Sequence, residues 1–178
     1  ATDVTGGMVD RNAPISLCPE ASETFPGQVG LTGRDAHGRA LLPKFRFKNE
    51  TASEHGLTLV YADSALGLDL VLDLSLTPDT SLLRMHTRLE SAQEITVDWL
   101  AAPVLPVPAH IGEMIEFSGR WCAEFQTRRL PFAPGARMRD NRTGRSDHAH
   151  FPALIACSPQ TANTAGEAYA FHYGWSGG

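Results

Sequence analysis

The segment from Phe117 to Pro152 holds most of the side chains that could do chemistry. His148 and His150 stand two residues apart, so on an extended backbone both imidazoles project to the same side and could bind a metal ion. No third ligand follows them at a recognisable spacing. Two loop histidines that hydrogen-bond to the backbone are the simpler interpretation, and we predict no metal site and no cofactor.

Carboxylates and aromatic rings also lie close together at the start of this segment. Glu113, Glu116 and Glu124 surround Phe117 and Trp121 in the sequence. Two suitably spaced carboxylates can hydrolyse a glycosidic bond. Alternating positions of a strand supply such pairs routinely, however, so the pattern alone predicts no catalytic residue.

Six arginines follow within eighteen residues: Arg128, Arg129, Arg137, Arg139, Arg142 and Arg145. Such a run could neutralise phosphate, but aromatic residues are not interleaved with it as they are in proteins that bind single-stranded nucleic acid. A solvated loop or an interface loop is the default interpretation.

Composition narrows the class of protein. A length of 178 residues suits a single domain, residues 1–178. The net charge of −5 argues against nucleic acid or an anionic membrane surface as the main partner. No apolar run approaches the ~20 residues needed to span a bilayer.

The chain has three widely spaced cysteines and no CxxC motif, so we expect neither a disulfide framework nor a structural zinc site. Cys122 and Cys157 are interpreted as small buried apolar residues. This cysteine usage predicts a reducing compartment, the cytoplasm.

The elements that position these residues are predicted to be strands. Leucine occupies every second position of LGLDLVLDLSL, residues 66–76, and a turn signal at 77–80 precedes a second alternating run. This pattern predicts that residues 66–90 form an antiparallel hairpin with a buried leucine face. On the other face, Asp69 and Asp73 could pair with Arg84, His86 or Arg88. Further strands are predicted at 57–62, 95–104, 113–118, 123–128, 151–157 and 168–175. With no helical stripe in the sequence, these strands predict an antiparallel all-β sandwich.

An ordered series of short motifs points to a known family. It comprises FSGRWxxEF at 117–125, PFxxG at 131–135, NRxGRSDHxHFP at 141–152 and GEAYAFHYGWSG at 166–177, preceded by the glycine-rich stretch 25–45. In this order the motifs resemble the N-terminal domain of glycoside hydrolase family 36, which includes α-galactosidases. The resemblance implies a β-supersandwich of the galactose-mutarotase-like fold.

The same resemblance implies that another domain of the parent enzyme carries out catalysis. The family's domain precedes a (β/α)8 barrel that carries both catalytic aspartates of a retaining mechanism. The chain begins without methionine and ends Ser-Gly-Gly, so we expect a fragment that lacks the barrel, and also the first strands. By itself it should be inactive, whereas its parent should hydrolyse terminal α-galactosides without metal or cofactor. Its expected partners are the barrel and further copies of the parent.

Seven residues are predicted to be close to substrate or to an interface: Trp121, Glu124, Arg142, Arg145, His148, His150 and Trp175. One alternative is a free-standing carbohydrate-binding or mutarotase-like module, in which Trp99, Trp121 and Trp175 would stack on sugars. Another is a metal-binding sandwich that uses His148 and His150.

Overall fold

The computed structural model describes residues 16–21, 28–80, 82–133, 135, 137–140, 147, 149 and 151–174. All strand pairs in these ranges are antiparallel. The described residues contain no α-helix, and so none that is long and apolar enough to cross a membrane. The chain divides into two compact units, Ala1–Pro106 and Val107–Gly178, which are described separately. The single domain expected over residues 1–178 stays a prediction.

The first unit contains two sheets. Strands β2 (Arg46–Ala52), β3 (Gly56–Asp63), β4 (Leu68–Thr77) and β5 (Leu82–Ser91) form a four-stranded meander in the order of the sequence. Strands β1 (Leu31–Asp35) and β6 (Ile95–Leu100) pair as a two-stranded sheet. The predicted hairpin over residues 66–90 is thus confirmed as β4 and β5, with Leu70 opposite Leu89.

The core of this unit lies against the leucine face of β4. Leu68, Leu70 and Leu72 are at most 2% exposed and pack with Leu31 of β1 and with Phe45. Alternation places all three side chains on one face of the sheet, so a single strand supplies much of the apolar surface that this unit buries.

The alternation of leucines continues beyond the buried core, toward the turn of the hairpin. Leu76, which the alternation predicts to be buried, is 47% exposed. Strand β3 begins at Gly56, which pairs with Ser75, so Leu76 lies beyond the last residue pair between β3 and β4. On the opposite face, Val71 is 4% exposed because it lies in a central strand between Val60 and Arg88.

The expected charge pairs across the hairpin are partly confirmed. Asp73 Oδ2 lies 3.6 Å from Arg88 Nη1. Asp69 instead faces Glu90 across the hairpin and pairs with Lys48 of β2 at 2.6 Å. Lys48 lies on β2, two strands away from β4 in the sheet, so a prediction limited to the hairpin could not identify this partner.

Asp63 fixes the turn between β3 and β4. Its carboxylate accepts hydrogen bonds from the backbone N–H groups of Lys44, Ala65 and Leu66 at 2.7, 2.9 and 3.0 Å. Burial raises the pKa of Asp63, but the three N–H donors outweigh it, so that the pKa lies below its usual value.

Sequence patterns missed two strands and misplaced the end of a third. Strands β1 and β2 were not predicted, and the strand predicted over 95–104 ends at Leu100. Pro103, Pro106 and Pro108 follow that end and cannot donate to a sheet, so the pairing with β1 stops there.

The second unit contains one four-stranded sheet in the order β10-β9-β7-β8. Its strands are β7 (Glu113–Arg120), β8 (Ala123–Pro131), β9 (Ala153–Cys157) and β10 (Ala168–His172). All four strands were predicted, with ends that differ by up to three residues. Met114 and Ala156, on neighbouring strands, are buried, and Cys157 is fully buried. This sheet carries the segment singled out in the sequence.

Candidate functional site

The hairpin of β7 and β8 presents Trp121 at its tip, where this residue is 80% exposed. Arg120 pairs with Ala123, so Trp121 and Cys122 alone form the turn. Cys122 adopts a φ of 61°, a left-handed conformation that is uncommon outside glycine, asparagine and aspartate. The N–H of Cys122 donates to Glu124 Oε1 at 2.9 Å, and this bond stabilises the turn.

A bulge below the turn fixes the direction of the tip. The register shifts between Ser118 and Arg120, and Phe125 on the opposite strand has a φ of 52°. A Cβ at Gly119 would lie 2.6 Å from the carbonyl oxygen of Ala123, so only glycine fits. Phe125 packs edge-on against Phe151, with 5.1 Å between the ring centroids. The exposed indole therefore stands on a tightly constrained support.

A groove lies beside this hairpin, between the sheet and the segment that follows β8. Its volume is about 590 Å³; Met114, Phe132 and Leu154 supply apolar walls, and Glu116, Arg137 and Arg139 supply the charged groups. Arg137 donates from Nη2 and Nε to the two carboxylate oxygens of Glu116, at 2.6 and 3.0 Å. Glu116 is 4% exposed, so this bidentate pair ties the segment to the sheet.

Other arginines of the run also hold backbone in place. Arg139 Nη2 donates to the carbonyl oxygen of Phe117 at 2.7 Å, and its guanidinium reaches those of Ala149 and Phe151 at 3.3 Å. Arg129 Nη2 donates to the carbonyl oxygen of Thr161 at 2.6 Å. These described arginines thus order the segment, besides giving it positive charge.

The three carboxylates singled out in the sequence each have a structural partner. Glu116 binds Arg137, and Glu113 Oε2 lies 3.2 Å from Arg129 Nε. Glu124 binds the turn at Trp121. Each of these carboxylates thus has a structural contact within the fold, and none of these contacts indicates a catalytic pair.

Five of the seven predicted site residues lie outside the described residues: Arg142, Arg145, His148, His150 and Trp175. The other two, Trp121 and Glu124, lie together at the hairpin tip. Among the described residues no group of three or more His, Cys, Asp or Glu side chains could hold a metal ion. His148 and His150 lie outside these residues, so the interpretation of the pair stays a prediction.

The three cysteines are free and differ in exposure. Cys157 is buried, as predicted, and so is Cys18, where burial and then the nearby Glu20 raise the pKa to about 11. The prediction for Cys122 is wrong, because this residue is exposed. It occupies a two-residue turn, which projects away from any core.

One group of polar side chains was not predicted. Glu167 accepts hydrogen bonds from the hydroxyl of Tyr169 and pairs with His110 Nε2 at 2.7 Å. The bond from Tyr169 and then that from His110 lower the pKa of Glu167, and the bond to Glu167 raises the pKa of Tyr169. His110 is 57 residues from Glu167, so no local pattern could reveal this contact.

Comparison with known proteins then gives the family. Residues 4–178 match the family model described as the glycosyl hydrolase family 36 N-terminal domain. The chain belongs to this family. Relatives of this chain include the α-galactosidase of Escherichia coli, which is 36% identical over 177 residues, or 98% of this chain and 24% of that protein. A probable α-galactosidase C of Aspergillus oryzae is 28% identical over 89% of this chain and 20% of its own length.

Solved structures agree on the fold. The chain superposes on the family 36 α-galactosidase AgaB of Geobacillus stearothermophilus with a TM-score of 0.80 at 19% identity, covering 90% of this chain and 25% of that one. The α-galactosidase of Lactobacillus brevis gives a TM-score of 0.76 at 20% identity, covering 94% and 27%. The predicted all-β sandwich is confirmed, and the chain spans about a quarter of the length of these relatives.

Proposed function

We propose that this chain is the non-catalytic N-terminal domain of an α-galactosidase-type glycoside hydrolase. The longer protein would hydrolyse terminal α-D-galactosides by a retaining mechanism, through two carboxyl groups on a (β/α)8 barrel that follows this domain. The observation that carries the proposal is the 36% identity to the Escherichia coli α-galactosidase over 98% of this chain, combined with coverage of only 24% of that enzyme.

The side chains of the second unit support a role other than catalysis. A retaining glycosidase needs two carboxyl groups about 5 Å apart that can attack and protonate the substrate. Glu116 is buried under a bidentate arginine, and Glu124 accepts a hydrogen bond in a turn. Using Glu116 in a reaction would first require its buried pair with Arg137 to break, and Glu124, although exposed, already holds the turn.

Within the parent, the segment 117–152 would contact the barrel or a neighbouring subunit. An exposed tryptophan on a rigid support and a run of arginines are typical of interface anchors. In this proposal Trp121 and Glu124, together with Arg142, Arg145, His148, His150 and Trp175, contact a protein partner or lie close to substrate. We also propose a cytoplasmic protein, which the three free thiols support.

The test of the catalytic assignment compares two proteins. The 178-residue chain should not release p-nitrophenol from p-nitrophenyl α-galactoside, whereas the longer protein proposed here should. Turnover by the chain alone that disappears on mutating one of its carboxylates would refute the assignment.

The interface and metal interpretations are separated in the longer protein. Replacing Arg142 and Arg145 by alanine should lower its assembly or thermal stability, and no bound metal should be found in it. Stoichiometric zinc or nickel in the purified chain that is lost in His148→Ala would overturn the interface interpretation.

A further inference from the structure

The floor of the groove beside the β7–β8 hairpin is one face of the second sheet. Met114 pairs with Ala156 across β7 and β9, and Glu116 pairs with Leu154, so these four side chains lie on the same face. Met114, Glu116 and Leu154 line the groove, and both Met114 and Glu116 are buried. The floor that these residues form is therefore apolar except for one buried carboxylate.

Phe132 supplies an apolar wall beside this floor. Its N–H donates to the carbonyl oxygen of Gly112 at 2.8 Å, and this bond fixes the chain where it leaves β8. The ring is 41% exposed and lines the groove together with Pro131 and Ala133. An exposed ring in a concave apolar surface offers a face on which a planar group can stack. The volume of about 590 Å³ lies in the range of sites that bind small molecules.

Cations outnumber carboxylates among the described residues of the groove. Glu116 is the one carboxylate among them; it binds Nε and Nη2 of Arg137, and Arg128 Nη1 lies 3.8 Å away. Arg139 lines the same groove. Within the described part of the chain, its hydrogen bonds go to three backbone carbonyl oxygens and to no carboxylate. The charge of Arg139 therefore favours an additional anion in the groove.

We propose that this groove binds a small organic anion with a planar apolar body and one carboxylate. The body packs on Met114 and Leu154 and stacks on Phe132, and the carboxylate accepts hydrogen bonds from Arg137 and Arg139. A neutral sugar offers no charge to these guanidinium groups, and an inorganic anion leaves the apolar walls in contact with water. The groove thus selects for both properties together, which goes beyond the domain's proposed part in α-galactoside hydrolysis.

The probe is 2-naphthoate, an aromatic carboxylate, titrated into the 178-residue chain by isothermal calorimetry. It should bind at a single site with a dissociation constant of about 1 mM or lower. Two compounds separate the contributions: 2-naphthylmethylamine keeps the ring system but carries a positive charge, and acetate keeps the carboxylate without the rings. Each should bind at least about tenfold more weakly than 2-naphthoate. Absence of 2-naphthoate binding, or equal binding by either compound, overturns the proposal.

Variants test the two parts of the groove. Arg139→Gln should weaken 2-naphthoate binding at least about tenfold, because it removes the cation. Ala133→Trp should do the same by filling the groove with a ring, and it leaves Arg139 and its hydrogen bonds in place. The matched control is Arg120→Gln, which removes the same charge at an exposed position outside the groove lining. If Arg120→Gln weakens binding as much as Arg139→Gln does, the assigned site is refuted.

Nuclear magnetic resonance locates the bound probe. In ¹H–¹⁵N spectra of the labelled chain, the amide signals of Phe132, Ala133 and Leu154 should shift most as 2-naphthoate is added. Shifts centred on the exposed indole of Trp121 instead would place the aromatic acid at the hairpin tip and overturn the assignment to the groove. Because these measurements involve no galactoside, their failure is distinct from failure of the α-galactosidase assignment, which is judged by hydrolysis.

Discussion

Truncation of Leu70 measures how much stability the leucine face of β4 supplies. The residue is 1% exposed, so Leu70→Ala removes a fully buried isobutyl group. Its pairing partners Tyr61 and Leu89 are only partly buried and can relax into the space. The loss should thus fall in the lower half of the range for such truncations, about 3 kcal/mol.

The same strand provides a matched control. Leu76 has the same side-chain parity as Leu70, but it is 47% exposed, so about half of its transfer free energy is already lost in the folded state. Leu76→Ala should therefore cost only about 1 kcal/mol. For a chain of this size these values correspond to decreases in Tm of roughly 6–12 °C and 2–4 °C.

Differential scanning calorimetry of dilute wild-type and variant chains gives both values. Leu70→Asp, which buries an unpaired carboxylate at the same position, should be more destabilising than Leu70→Ala. Equal decreases in Tm for the alanine variants at 70 and 76 would show that burial along β4 does not follow the described register, and the reasoning would fail.

Three other properties can be measured on the same chain. Glu116→Gln should lower the stability of the second unit by about 1–3 kcal/mol, because it weakens the buried pair with Arg137. The control Glu54→Gln, at an exposed carboxylate, should change the stability of the chain little. Similar losses in both variants would refute this role of Glu116. The folded pKa of Asp63 is lowered, so this carboxylate contributes stability that is present above about pH 4 and is lost as the pH falls through the folded pKa. The difference in unfolding free energy between wild type and Asp63→Asn should therefore become smaller in acid. A difference that is constant with pH would contradict the assigned cause. Ellman's reagent should label one thiol per native chain, and Cys122→Ser should abolish that reaction, whereas rapid labelling of the buried thiols would refute the described burial.

Strand β4, which alternates strictly, was predictable, whereas β2, which has no buried face, was not. The run of leucines from 66 to 76 gave the hairpin, since every second side chain on β4 meets the core until Leu72. In contrast, every residue of β2 is exposed, so its sequence RFKNETA carries no apolar period. Its pairing depends on backbone hydrogen bonds to β3, which any side-chain sequence can make.

The sequence singled out the segment 117–152, but the contacts within it were not predicted. The bond between Glu116 and Arg137 joins residues 21 positions apart, and several arginines in the run could have made it. The choice depends on how the chain returns over the sheet after Pro131. The turn at Cys122 escaped prediction for another reason, because a cysteine with positive φ violates the residue preference from which such turns are predicted.

The position of β8 at the edge of its sheet has a consequence for solubility. An edge strand offers backbone donors and acceptors that can recruit a strand from another molecule and start amyloid-like aggregation. Arg128 and Arg129 place adjacent cations on this strand, and the bulge at Phe125 interrupts its regular pairing geometry. Arg128 and Arg129 thereby discourage uncontrolled strand addition, so a variant that neutralises them exposes the chain to fibril formation even where it folds normally.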